Sequence, residues 1–261
     1  MARTIIVGDL HGCAAELERL LQVVRCTHED SLVFVGDLIA RGPDSAGVLQ
    51  IYRASNARAV LGNHEERMLR ARKARAQGER GPRLGPAHFK LLHQLSEADW
   101  TQIEAFPLHL DLPEHNLRIV HAGILPSVPF EKQDPWTLTH IRSVNAQGKA
   151  SDRSHDEPWA ASYVGGPHIV FGHNSRLQLQ MHPHATGLDT GCVYGGQLTA
   201  LVLAEGQTIP AEPEARAKLL VQVEASDRYY AGVEFPPSSR RDLGAPRSGN
   251  GEFSPWSKRG G

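Results

Sequence analysis

The stretch GDLIARGPDS at residues 36–45 follows the apolar run Leu32–Val35, so a glycine and an aspartate stand directly behind that run. A run of this length, rich in β-branched and aromatic residues and ended by glycine, is typical of a buried strand. The same ending occurs at GDLHG (8–12), behind Thr4–Val7, and apolar residues at helical spacing follow each motif. Short strands that alternate with helices predict an α/β protein with parallel βαβ units, whose ligand sites lie at the carboxyl ends of the strands.

The composition predicts one domain without a strong overall charge. The 261 residues include 28 Lys and Arg against 29 Asp and Glu, a net charge of −1, so nothing draws the whole chain to nucleic acid or an anionic membrane. Three widely spaced cysteines favour a reducing compartment. Neither a signal peptide nor an apolar run of roughly 20 residues is present, which predicts a cytoplasmic protein without membrane contact. We expect a domain over residues 1–231 and a disordered Gly/Pro/Ser/Arg-rich tail over 232–261. The oligomeric state stays open.

The predicted strand ends carry side chains that suit metal ions. In chain order these are Asp9, His11, Asp37, Asn63, His64, His121 and His173. Each motif alone is more often a turn or a packed histidine, but their combination matches the ligands of borderline divalent metals. One ion with about five ligands would leave donors over, so we predict two ions roughly 4 Å apart, bridged by Asp37 from the middle strand. Such a pair acidifies water and polarises phosphoryl oxygens, which predicts a hydrolase of phosphoesters or phosphoanhydrides.

Five ordered motifs resemble those of the calcineurin-like metallophosphoesterases, in their phosphoprotein-phosphatase branch: GDLHG (8–12), GDLIARG (36–42), GNHE (62–65), HAG (121–123) and GHN (172–174). The resemblance runs from residue 4 to about 205 and implies two β-sheets sandwiched between helices. It also implies two divalent ions, with manganese expected and iron, zinc, cobalt or nickel as alternatives. The implied ligands are Asp9, His11 and Asp37 for one ion and Asp37, Asn63, His121 and His173 for the other.

Further residues are candidates for catalysis and substrate binding. A cationic imidazole at His64 can protonate the leaving oxygen, and the resemblance assigns the matching histidine this general-acid role; the alternative is a hydrogen bond that only supports the ligands. The planar guanidinium of Arg41 can hold two phosphoryl oxygens, as its counterpart in the family does. Arg142 and Arg176 are further phosphate-binding candidates, against surface salt bridging. Tyr194 is a candidate to stack on a base or phosphate ester, against packing as an edge-strand aromatic.

Ala40 departs from the GDxxDRG motif of eukaryotic-type Ser/Thr phosphatases, in which an aspartate at this place orients the general-acid histidine. His64 must therefore find another partner or be a weaker acid. A nucleotide phosphate leaves as a stable anion and needs less protonation than an alkoxide, so Ala40 favours phosphoanhydride substrates. The GDLxARGP pattern and the segment LDTGCVYGGQLTAL (188–201) resemble the symmetrical diadenosine tetraphosphatases and ApaH-like phosphatases.

We therefore predict an ApaH-like phosphatase of nucleoside or dinucleoside polyphosphates or of RNA 5′ ends. GNHE in place of GNHD, and a short segment between His121 and His173, argue against a strict preference for dinucleotides. A Ser/Thr protein phosphatase with the same centre is the main alternative; Ala40 speaks against it and GNHE for it. A non-catalytic binding module would have lost a ligand, and none is missing. The basic segment 71–87 is either a solvated helix end and loop or a substrate-facing lid.

Overall fold

A computed structural model describes residues 2–154 and 156–231 of the chain, so the predicted tail lies outside the described residues. The strands are β1 (Arg3–Val7), β2 (Ser31–Phe34), β3 (Arg58–Ala59), β4 (His109–Leu112), β5 (Leu117–Val120), β6 (Ser143–Val144), β7 (Ala150–Ser151), β8 (Glu157–Pro158), β9 (His168–Phe171), β10 (Gln180–Met181), β11 (Ala185–Gly187), β12 (Gln197–Ala204) and β13 (Leu220–Glu224). The α-helices are α1 (Ala14–Val23), α2 (Ser45–Ala54), α3 (Asn63–Ala76), α4 (Pro86–Gln94), α5 (Glu97–Glu104), α6 (Pro135–His140), α7 (Trp159–Ser162) and α8 (Pro213–Ala217). Within the two described ranges, no helix has the length and apolar character needed to cross a membrane.

The strands form two five-stranded sheets and one small sheet. The first sheet has the order β13-β12-β1-β2-β3, the second β10-β11-β9-β5-β4, and the small one β7-β6-β8. The pairs β1–β2 and β2–β3 are parallel, as the βαβ pattern predicts, and β9 is parallel to both β5 and β11. Parallel pairing brings the carboxyl ends of neighbouring strands to the same edge of a sheet.

The glycine turns in residues 185–206 favour two strands at an antiparallel edge or in a second sheet, and the structure agrees only in part. β11 joins the second sheet, but parallel to β9, whereas β12 enters the first sheet between β13 and β1. β12 is eight residues long and largely buried, so its backbone and its apolar side chains need partners on both sides. The glycine-rich stretch 188–196 is therefore a crossing from one sheet to the other.

The two sheets stack face to face, with helices on their outer faces. Ile6 of β1 lies in one apolar layer with Ile119 and Val170 of the second sheet. Its neighbour Ile5 points the other way, into a cluster that contains Leu17 of α1. A third cluster joins the outer face of the second sheet to α6 and α7. Alternating side chains on each strand thus fill two layers, and the predicted two-sheet sandwich flanked by helices is confirmed.

Local capping explains where several helices begin. The Asp44 carboxylate accepts a hydrogen bond of 2.8 Å from the Gly47 amide and so caps the start of α2. Residues 88–106 are predicted to be helical, and the structure divides them between α4 and α5. The division occurs because Ser96 and Asp99 form a capping box, in which each side chain accepts from the backbone amide of the other.

Candidate active site

The loops that follow β1, β2, β5 and β9, together with the start of α3, bring the predicted ligands into one cluster. Asn63 is half-buried and the other members are buried: Asp9, His11, Asp37, His64, His121 and His173. The Asp37 Oδ2 atom lies centrally, 3.6 Å from His11 Nε2 and 3.4 Å from His121 Nε2. One carboxylate oxygen between histidines from two different sheets is the arrangement expected of a bridging ligand.

Backbone carbonyls orient three of the histidines. A carbonyl can only accept, so the ring nitrogen that faces it carries a proton, and only the other nitrogen can offer a lone pair to a metal. The contacts are His11 Nδ1 with Ile39 O at 3.4 Å, His121 Nδ1 with Val35 O at 2.9 Å, and His173 Nε2 with His140 O at 3.1 Å. In each ring the remaining nitrogen points into the cluster, toward Asp37 or Asn63. This is the orientation in which metal-binding histidines are usually held.

Asp9 provides a test of whether divalent cations fit. Its Oδ2 atom accepts a hydrogen bond of 3.0 Å from the His173 amide, but its buried Oδ1 atom has no donor among the described residues. Burial and the nearby carboxylate of Asp189 raise the pKa of Asp9 well above its ordinary value. A Cβ on Gly172 would lie only 1.8 Å from Oδ1, so the chain leaves no room there for a larger residue. An uncompensated buried carboxylate oxygen beside oriented imidazoles fits a pair of divalent cations.

The electrostatics of the cluster favour a charged Asp37 among mostly neutral imidazoles. Burial opposes ionisation of Asp37, but the charge of His121 and a hydrogen bond from that ring hold the pKa of Asp37 well below the ordinary value. Against the same burial, Asp37 raises the pKa of His121 to about 10. Burial, with Arg41 adding repulsion, lowers the pKa of His11 to about 3, and burial also holds the pKa of His64 well below its ordinary value. Neutral imidazole is the form that binds metals, so His121 must give up a proton when a metal binds.

Glu65 holds the Asp37 loop against the start of α3. Its buried carboxylate accepts three backbone hydrogen bonds, from Asp37 at 2.9 Å, Ile39 at 3.1 Å and Gly62 at 3.1 Å. Asp37 in turn accepts from the His64 amide at 3.0 Å. The sequence signal for this role is the glutamate of GNHE, but in the sequence it stands out only as a difference from the GNHD motif. A side chain one methylene shorter would not span all three donors from the same backbone position.

Arg41 lies beside the cluster, between two tyrosines. Its Nη1 atom donates to His11 Nε2 at 3.0 Å, which requires a lone pair on that nitrogen. Its guanidinium carbon lies 5.6 Å from the ring centroids of both Tyr194 and Tyr230. Tyr230 follows β13, and its amide donates to Val193 O at 3.0 Å. Sequence reasoning found Tyr194 but missed Tyr230, which stands next to the predicted tail without a motif of its own.

The other two candidate arginines differ in position. Arg142 is half-buried directly before β6, and its charge helps burial to lower the pKa of His173. Arg176 is exposed, and its backbone amide donates to Asp189 O at 3.1 Å. Asp189 lies within LDTGC and was not singled out from the sequence, although its charge acts on Asp9. The structure thus brings Arg142 toward the cluster and leaves the Arg176 side chain at the surface.

His64 has a neighbour that no motif indicates. His88, the third residue of α4, is buried, and its Nε2 atom lies 2.9 Å from His64 Nδ1. The two rings are 4.8 Å apart and inclined by 21°. A ring nitrogen of His64 also lies within 4.8 Å of the donor atoms of His11 and Asp37.

Residues 77–81, which lead toward α4, are exposed, as the solvated interpretation of the basic segment 71–87 expects.

Comparisons with known proteins agree with this geometry. Residues 2–213 match the family model described as calcineurin-like phosphoesterase. The chain is 32% identical to the asymmetrical bis(5′-nucleosyl)-tetraphosphatase PrpE of Oceanobacillus iheyensis, over 78% of this chain and 90% of the relative. It is 31% identical to the symmetrical bis(5′-nucleosyl)-tetraphosphatase of a Janthinobacterium species, over 79% and 94%. Serine/threonine-protein phosphatase 1 of Salmonella typhimurium is 31% identical, over 74% and 88%.

A solved structure shows the same architecture. A crystal structure assigned as a diadenosine tetraphosphatase superposes with a TM-score of 0.73 at 33% identity, over 85% of this chain and 93% of the other. The family predicted from the five motifs is therefore confirmed. The chain belongs to the calcineurin-like phosphoesterases, which hydrolyse phosphoester and phosphoanhydride bonds and use a dimetal centre.

Proposed function

We propose that this protein is a dimetal-dependent hydrolase that cleaves phosphoanhydride bonds in dinucleoside polyphosphates such as diadenosine tetraphosphate. The observation that carries the proposal is the match to two tetraphosphatases along 90% and 94% of their own lengths. The family match over residues 2–213 includes the strand ends at which the clustered side chains lie. Ala40 supports the same substrate class, because a nucleotide phosphate leaves as a stable anion without a strong general acid.

The metal ligands are proposed as the sequence predicts them: Asp9, His11 and Asp37 for one ion, and Asp37, Asn63, His121 and His173 for the other. Manganese is the proposed metal, since oxygen and imidazole donors together suit it. When bound, such a pair of ions lowers the pKa of water and stabilises charge on a phosphoryl oxygen. The chain's own part is to hold these donors in place before substrate arrives, through the three carbonyl-anchored rings and the Glu65 carboxylate.

The remaining side chains bind substrate and handle the leaving group. Arg41 can turn its guanidinium from His11 Nε2, 3.0 Å away, to two oxygens of a phosphoryl group. The rings of Tyr194 and Tyr230 beside it offer faces on which a base or ribose can pack. His64 is proposed to donate from its ring to the departing oxygen. Arg142 is proposed to bind a more distant phosphate, with Arg176 at the surface as the alternative for the same role.

A direct competition tests the proposal. Initial rates of the manganese-loaded protein are measured on diadenosine tetraphosphate and on a panel of phosphoserine and phosphothreonine peptides, with products resolved by chromatography. We expect the dinucleotide to be cleaved much faster. Two ADP molecules would identify symmetrical cleavage and ATP with AMP asymmetrical cleavage; the tetraphosphatase relatives include both kinds. Faster cleavage of the peptides would refute the proposal.

A matched pair of arginine variants locates the phosphate-binding group. Arg41→Ala is expected to raise KM for the dinucleotide and lower kcat. Arg70→Ala on α3 is the control, because its side chain is 65% exposed and, among the residues that the structure describes, pairs only with Glu66 four residues earlier. Equal activity of the two variants would contradict the role given to Arg41.

A serine/threonine protein phosphatase is the second candidate function. It is favoured by the 31% identity to the Salmonella phosphatase and by the GNHE motif. The peptide panel tests it directly. Adding a 5′-triphosphorylated RNA to the competition tests the RNA 5′ ends, which present the same phosphoanhydride chemistry. The cytoplasmic location stays a prediction from the sequence.

A further inference from the structure

The sequence leaves His64 without an acidic partner, since Ala40 replaces the aspartate of the Ser/Thr phosphatases. In the structure a different element supplies a partner. His88 Nε2 lies 2.9 Å from His64 Nδ1, within hydrogen-bond distance, and the two rings are inclined by 21°. The two residues are 24 positions apart, and His88 reaches the site because α4 packs against α3.

The contact has the properties of a supporting hydrogen bond. Both imidazoles are buried, with exposed fractions of 4% for His64 and 8% for His88. A buried polar group needs a partner, and the described residues offer no other hydrogen bond to His64 Nδ1. They also offer none to Nε2, which leaves that nitrogen as the one that can face substrate. The bond to His88 therefore selects which edge of the His64 ring points outward.

We infer that His88 is a positioning residue for His64, and that it replaces the missing carboxylate with a neutral acceptor from α4. The inference rests on the catalytic role proposed for His64 above. For this step His64 starts as an imidazolium with a proton on each nitrogen; when it gives its Nε2 proton to the leaving oxygen, it becomes a neutral imidazole that keeps its Nδ1 proton. The lone pair of His88 Nε2 accepts that Nδ1–H before and after the transfer, so the ring does not turn during the step.

A neutral partner also bears on the substrate class. A carboxylate at Nδ1 would both orient an imidazolium and stabilise its charge, whereas an imidazole acceptor provides mainly orientation. Orientation is sufficient when the leaving group departs as a stable anion. The His64–His88 pair therefore suits the phosphoanhydrides of the proposed function better than alkyl esters.

The test uses two aryl phosphates, so that its outcome does not depend on the nucleotide substrate. p-Nitrophenyl phosphate has a readily departing phenolate, and phenyl phosphate a more basic one. His88→Leu fills a similar volume without an acceptor, and His88→Gln places an amide oxygen near the position of Nε2. His93→Gln on the exposed side of α4 is the control. Circular dichroism and thermal unfolding check that each variant is folded.

We expect His88→Leu to lower kcat on phenyl phosphate by about 10- to 100-fold, with a fall of less than about threefold on p-nitrophenyl phosphate and an unchanged KM. His88→Gln should recover most of the loss, and His93→Gln should behave as wild type. An equal fall on both substrates would overturn the inference, because a merely structural role does not depend on the leaving group. A His88→Gln variant as impaired as His88→Leu would overturn it as well. Cleavage of both aryl phosphates without cleavage of diadenosine tetraphosphate would refute the proposed substrate and leave this test intact.

Discussion

Gly172→Ala is a substitution of one methyl group that should remove Asp9 from the metal site. The Cβ would lie 1.8 Å from Asp9 Oδ1 and 2.8 Å from Val35 Cγ2. Cβ contacts below 3.0 Å essentially do not occur, so the carboxylate must withdraw by about 1.2 Å. Metal–oxygen bonds to carboxylates are about 2.0–2.2 Å long, and a ligand displaced by more than half that length no longer binds.

The same geometry sets the size of the effect. Withdrawal of Asp9 breaks the 3.0 Å bond from the His173 amide, a charge-assisted hydrogen bond worth about 1.5–3 kcal/mol. For a chain of this size that corresponds to a fall in Tm of about 3–12 °C. We expect the affinity for one ion to fall by about 100-fold or more, since a supporting contact alone is worth about 10–100-fold.

Manganese binding is measured by equilibrium dialysis, thermal unfolding by circular dichroism, and turnover with p-nitrophenyl phosphate. Gly85→Ala is the matched control, because its Cβ would meet nothing within 4 Å. Gly85 is the N-cap of α4, so the control itself costs less than about 1 kcal/mol. Two ions bound by Gly172→Ala with wild-type affinity would show that Asp9 is not a ligand.

Three further predictions use the same protein. Asp37→Asn should lower kcat by about 10²–10³-fold or more and weaken both ions; activity near wild type would contradict a bridging role. Asp30 accepts from the Arg3 guanidinium and backbone, and although burial opposes it, this pairing lowers the Asp30 pKa. The stabilisation from Asp30 is therefore present above its unfolded pKa of about 3.9 and is lost as pH falls through the lower pKa of the folded state. Asp30→Asn should lower the free energy of unfolding by about 2 kcal/mol at pH 7, and the fall of that free energy at acidic pH, measured by urea unfolding, should become less steep. An unchanged fall at acidic pH would refute this. Tyr230→Ala should raise KM for diadenosine tetraphosphate about 10-fold and leave KM for p-nitrophenyl phosphate unchanged, whereas Tyr230→Phe should leave both constants unchanged. A similar rise in KM for both substrates in Tyr230→Ala would exclude stacking.

The positions of the predicted ligands could be read from the sequence because each follows a strand in a parallel pattern. The strand gives the side chain a direction, and parallel pairing gives the strands a common edge, so Asp9 and Asp37 had to be neighbours. The same reasoning fails for β12, whose place between β13 and β1 depends on a crossing of the glycine-rich stretch 188–196 from one sheet to the other. No local spacing encodes which sheet accepts a strand.

Contacts between side chains from separate elements were also beyond sequence reasoning. His88 shares no motif with His64, and its hydrogen bond exists because two helices pack at a particular offset. Glu65 was visible in GNHE, but its three amide partners belong to the loop after β2 and to Gly62. In both cases the residue type gives the chemistry, and only tertiary packing gives the partner.

The backbone of the site explains why those supporting contacts matter. Five residues of the cluster and its flank are non-glycine residues with positive φ: His11 at 48°, Asp37 at 51°, Ala40 at 73°, Arg41 at 72° and His173 at 62°. Each such conformation costs about 1 kcal/mol or more, and the costs persist only where the surroundings impose them. The Glu65 carboxylate and the carbonyls that anchor the histidine rings are those surroundings. The fold therefore holds the donors in strained positions by its own hydrogen bonds, and the ions enter an arrangement that the chain has already formed.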